Sequence, residues 1–175
     1  DDELFNVYQA AKEHGAFVML HCENGDVVAS NIAKLKAEGK LAPKYHAISR
    51  PSELEGEAAA RAITLARYAG KQQIYIVHTT CKEALHAGRD AQFRGEPVLL
   101  ETCPQYLLID DTCYENENFE LAARYVMSPP IRKKADQEAL WEGLRNGWVQ
   151  VVGTDTCSFT TQQKRMGKDD FSKIP

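Results

Sequence analysis

Two histidines and one aspartate stand out because each closes an apolar run: His21 follows FVML, His78 follows IYIV and Asp155 follows VQVVGT. An imidazole at the end of a buried strand costs desolvation unless a metal or a hydrogen-bond partner compensates. Any one of these could be a satisfied core residue. Three polar groups at equivalent places on separate runs point instead to a shared site. Imidazole and carboxylate donors together suit zinc or a similar divalent ion. The three could hold one ion with a position left for water, which would then attack a carbonyl near neutral pH. The aspartate is placed to take the proton of that water and deliver it to a leaving nitrogen.

Other candidates carry weaker signals. Ser128 precedes two prolines in MSPPIR, where a rigid turn could present backbone groups to an amide ring; a purely structural turn is the simpler reading. Glu101 and Thr102 end a third apolar run, with support of the site or satisfaction of the core both open. His14 and His86 lie on predicted helices among charged neighbours and are expected at the surface, while His46 sits in a long loop and is expected to make a loop hydrogen bond. There is no glycine-rich phosphate loop, no GxSxG elbow and no CxxC pair.

The elements that must position these residues alternate. FVMLHCE (17–23), IYIVHTT (74–80), PVLLETC (97–103) and VQVVGTD (149–155) read as strands covered on both faces, as in a parallel sheet. Between them, residues 3–14, 27–38, 51–69, 82–94 and 134–146 read as helices, each followed by a glycine stop. This alternation argues for βαβ units, whose ligand sites lie at the carboxyl edge of the sheet. Residues 40–50 and 104–132 show no strong helix and read as long loops, with RYVM before Ser128 strand-like. Pattern alone leaves open a small doubly wound domain or half of a (β/α)8 barrel.

Bulk properties narrow the function. The chain has 175 residues, enough for one domain with a core. A net charge of −4 gives no electrostatic footprint for nucleic acid or an anionic membrane. No apolar run approaches the ~20 residues of a spanning helix, and the polar opening DDELFNVYQAAKEHG carries no secretory signal. The five cysteines are odd in number and are expected to be reduced thiols.

HCENGD (21–26), SRPSELEGEA (49–58), VHTTC (77–81), ETCPQYL (101–107), MSPPIR (127–132) and VVGTDTC (151–157) follow in the order found in dihydropyrimidinases and D-hydantoinases. The chain resembles that family over nearly its whole length. The resemblance implies an α/β fold, a metal-dependent hydrolase (β/α)8 TIM barrel of the amidohydrolase superfamily. Residues 1–175 would be one partial barrel domain, its C-terminal half (about strands 5–8), truncated at both ends. It implies a cyclic amidase that opens a dihydropyrimidine or 5-substituted hydantoin ring to an N-carbamoyl amino acid. The nucleophile would be a hydroxide bridging two divalent ions, zinc in the usual case.

By the same resemblance, His21 and His78 bind one ion, Asp155 binds the other and shuttles the proton, and the main chain of Ser128 contacts the ring amide. An HxH pair, a bridging carbamylated lysine, a tyrosine and an asparagine would lie outside residues 1–175, so this piece alone is expected to be inactive. The partners implied are a small cyclic amide and, for the full-length protein, three further copies in a homotetramer. No nucleic acid or membrane partner is expected, and the setting implied is cytoplasmic pyrimidine catabolism. Thr156 departs from the histidine that members commonly carry after the aspartate. Two rivals share the resemblance. Allantoinases and dihydroorotases tend to have histidine where Gln105 stands, and the non-catalytic collapsin-response mediator proteins lack the ligands that His21, His78 and Asp155 match.

Overall fold

A computed structural model describes all residues 1–175. Four strands, β1 (Val18–Leu20), β2 (Ile74–Ile76), β3 (Val98–Thr102) and β4 (Val151–Val152), form one parallel sheet in the order β1-β2-β3-β4. The main helices are α1 (Asp2–Glu13), α2 (Gly25–Ala37), α4 (Ser52–Tyr68), α5 (Lys82–Phe93) and α8 (Lys134–Arg145). Strand order runs with the sequence and never reverses. A doubly wound sheet needs such a reversal at its switch point. The sheet is therefore a stretch of a singly wound barrel, and the choice that pattern left open falls to the partial barrel.

Helix ends follow the expected chemistry. The Asn24 side chain caps α2 by accepting from the Val27 N–H at 3.2 Å. Helix α4 begins after Pro51, with Glu53 and Glu55 in its first turn. It stops before Gly70, whose φ of +83° favours a residue without Cβ. The face of α4 carrying Ala58, Ala59, Ala62, Ile63 and Ala66 packs with Tyr8, Ile74, Ile76, Leu85 and Leu100 in one core.

Full cover holds on one face of the central strands only, since Tyr75 and Leu99, which share the other face, are only partly buried. Ile74, Ile76, Val98 and Leu100 are buried, whereas Met19 on β1 and Val152 on β4 are exposed. These two lie on the outer strands, which have a neighbour on one side alone.

The long connections differ from expectation. Residues 40–50 contain a short helix, α3 (Lys44–Ser49). Residues 104–132 contain α6 (Pro104–Leu108), a 3-10 turn (Asp111–Glu115) and α7 (Phe119–Ala123), and RYVM is not a strand. Each helical piece has five or six residues, too short to show a 3.6-residue period. They fold around a second core of Tyr106, Tyr114, Val126, Ile131, Leu140 and Phe171. The last helix, α9 (Thr161–Lys164), carries a capping box between Thr160 and Gln163. All five cysteines are free thiols. No helix is long and apolar enough to cross a membrane.

Candidate metal and substrate site

Register brings the two histidines together. Leu20 pairs with Ile76, so His21 and His78 leave adjacent strands at the same edge of the sheet. His21 Nδ1 lies 3.0 Å from His78 Nε2, with the rings edge to face at 71°. The His78 backbone is left-handed, at φ +39°, and so is that of Asp155, at φ +46°. Non-glycine residues held there are uncommon and cluster at functional positions. Lys71 is the one other such residue.

Each histidine is held from behind. His21 Nε2 donates to Glu23 Oε2 at 3.0 Å, and Arg50 Nη1 donates to the same oxygen at 2.8 Å. Burial works to raise the Glu23 pKa, but the His21 hydrogen bond and the Arg50 and Arg132 charges hold it below the ordinary carboxylate value. Glu101 accepts from the His78 backbone N–H at 3.2 Å and from the Tyr75 hydroxyl at 2.6 Å. Gly153 makes room for it, since a Cβ there would stand 2.6 Å from Glu101 Oε2. Thr102 donates to the Thr79 carbonyl at 2.7 Å. Of the readings left open for Glu101 and Thr102, both side chains support the loop after β2. Burial, then the neighbouring His21, pushes His78 below the usual histidine pKa.

The donors fit a divalent ion. With Nε2–H given to Glu23, His21 turns its Nδ1 toward His78. Two imidazole nitrogens on one tetrahedral zinc, each at about 2.0–2.1 Å, lie roughly 3.3 Å apart. The observed 3.0 Å is within a few tenths of that. No three His, Cys, Asp or Glu side chains are arranged to hold one metal ion between them, so Asp155 does not join the two histidines on a single point.

Asp155 lies with Ser128 instead. Both line a cavity of about 550 Å³, together with His46, Thr156, Phe159 and Lys164. The Ser128 segment is fixed from three sides. His46 Nε2–H donates to the Met127 carbonyl at 2.8 Å, Tyr106 OH to the Pro129 carbonyl at 2.8 Å, and Tyr114 OH accepts from the Ile131 N–H at 3.0 Å. The Ser128–Pro129 peptide is cis. His46 lies on α3 rather than in a loop, and its hydrogen bond reaches a loop carbonyl from there; burial, then the Arg50 charge, lowers its pKa to about 4. His14 and His86 are exposed, as expected.

Sequence reasoning missed the charges beneath these groups. Arg132 donates to Glu55 at 2.8 Å, to Thr80 at 2.9 Å and to the Arg50 carbonyl, while Glu55 accepts from the Thr80 N–H at 2.8 Å. The Arg132 and Glu55 side chains are 8% and 3% exposed. One signal existed: Glu55 stands on the same face of α4 as Ala58, Ala59 and Ala62, where a carboxylate needs a partner. Lys164, buried in the cavity wall with its Nζ donating to the Val126 carbonyl at 2.7 Å, had no such signal.

No family model matches the chain. A D-hydantoinase from Geobacillus stearothermophilus is 48% identical over all of this chain and 37% of its own length. A D-phenylhydantoinase from Escherichia coli O81 (strain ED1a) is 42% identical over all of this chain and 38% of its own. The solved dihydropyrimidinase from Brevibacillus agri NCHU1002 superposes with a TM-score of 0.97 at 47% identity, covering all of this chain and 38% of that one. The chain is thus similar from end to end to these relatives, of whose length it spans less than two fifths.

Proposed function

We propose that this chain is the metal-binding and proton-shuttling part of a cyclic-amide hydrolase of the dihydropyrimidinase and D-hydantoinase family. The observation that carries the reading is the convergence of His21 Nδ1 and His78 Nε2, on a segment similar throughout to D-hydantoinases. His21 and His78 would hold one divalent ion, and Asp155 would contribute to a second. When bound, such ions polarise the ring carbonyl and acidify the attacking water. Zinc is the choice that two imidazoles and a carboxylate favour.

The chain's own groups do the rest. The main chain of Ser128, fixed by His46, Tyr106 and Tyr114, orients the ring amide against the cavity wall. Asp155, on the same wall, accepts the proton as water adds to the carbonyl carbon. As the ring C–N bond breaks, Asp155 returns that proton to the nitrogen, giving an N-carbamoyl amino acid. The substrate is a small dihydropyrimidine or 5-substituted hydantoin. The full-length protein is a homotetramer working in the cytoplasm.

The test is turnover of dihydrouracil, phenylhydantoin, allantoin and dihydroorotate by the intact protein. Preference for either of the first two is expected. Preference for allantoin or dihydroorotate would move the protein to another branch, and no hydrolysis by a metal-free preparation that also takes up no zinc would place it among the non-catalytic relatives.

A further inference from the structure

We propose that Glu23 is the positioning residue of the His21 ligand, held in place by a chain of charges that runs to the loop after His78. This rests on the reading of His21 and His78 as metal ligands. The Glu23 side chain is 5% exposed, yet one oxygen serves both partners: Oε2 accepts from His21 Nε2 and from Arg50 Nη1. Its other oxygen is buried without a hydrogen-bond partner. Burying a carboxylate is costly, and buried carboxylates are retained where a charge or an imidazole needs them.

The consequence for His21 is a fixed tautomer. An acceptor at Nε2 puts the proton there and leaves the Nδ1 lone pair facing His78. A carboxylate acceptor also raises the basicity of the ring. Arg50 sets where that carboxylate sits. The Arg50 carbonyl in turn accepts from Arg132, which pairs with Glu55, which accepts from Thr80, two residues beyond His78. One continuous network therefore fixes both histidines relative to each other.

The experiment uses the intact protein stripped of metal. Zinc affinity is measured by competition with a chelator for wild type, Glu23→Gln, Glu23→Ala and His21→Ala, alongside the visible absorption band of each cobalt-loaded protein and the melting of each apo form. Glu23→Ala is expected to weaken zinc binding roughly 10- to 100-fold and to alter the cobalt band. Glu23→Gln, which keeps an acceptor oxygen but no charge, should fall between it and wild type. If Glu23→Ala does not fold, Glu23→Gln alone decides. Wild-type zinc affinity and an unchanged cobalt band in the foldable Glu23 variants, with zinc lost in His21→Ala, would overturn the positioning role and leave the metal reading standing. Unchanged zinc affinity in His21→Ala would overturn the metal reading, and this proposal with it.

Discussion

The two edges of the site are built in different ways. At the β1–β2 edge, His21 and His78 are fixed by side chains: Glu23 and Arg50 behind one, Glu101 and Tyr75 beneath the other, Arg132 and Glu55 below both. At the β4 edge, Asp155 follows a two-residue strand, is exposed, and makes no such side-chain bonds. Its placement rests on a left-handed backbone and on the loop around it. The first edge thus spends buried charge on geometry, and the second leaves a carboxylate free to exchange a proton. A ligand needs a fixed lone pair; a shuttle needs an accessible oxygen.

This contrast can be broken most forcefully at Arg132. Arg132→Ala leaves Glu55 buried without its cation and should cost about 3–5 kcal/mol in urea unfolding of the intact protein. A loss below about 1 kcal/mol would mean that the first edge is no more firmly held than the second.

A smaller effect, of up to about 3 kcal/mol, concerns pH. The folded-state pKa of His46 is about 4, below its ordinary 6.5. Between these values the unfolded chain binds more protons, so this contribution is complete above pH 6.5 and is lost as pH falls through 4. In His46→Gln, which can still donate to Met127, that part of the pH dependence should vanish from the melting profile. An unchanged profile would show that His46 is not the group responsible.

Gly153→Ala probes the meeting point of the two edges, because the new methyl must push Glu101 aside. It should cost about 1–3 kcal/mol. It should also weaken zinc binding through displacement of the His78 backbone. Asp155→Asn, which tolerates the left-handed backbone, should change stability least, within about 0.5 kcal/mol, as expected of an exposed side chain away from packing. A loss as large as that of Gly153→Ala would show Asp155 to be structural, and the contrast would fail.

Legibility from sequence follows the same division. The strand-end residues could be seen because long apolar runs point at them, and the helices because their period and glycine stops are local. The network under the histidines could not, since Glu23, Arg50, Glu55 and Arg132 are brought together only by the fold, from positions up to 109 residues apart. The short helices in 104–132 were invisible for a different reason: five residues are too few to declare a period. Expecting both sheet faces to be covered failed on the face of Met19, Tyr75 and Leu99 and at Val152 on the outer strand, because apolar runs do not say which face or which strand other elements cover.

The most direct measurement is the zinc content of the intact protein by elemental analysis, with and without His78→Ala. Loss of one divalent ion per chain in the variant, with the fold intact by circular dichroism, is the expected result. Unchanged metal content would contradict the assignment of His21 and His78 as ligands.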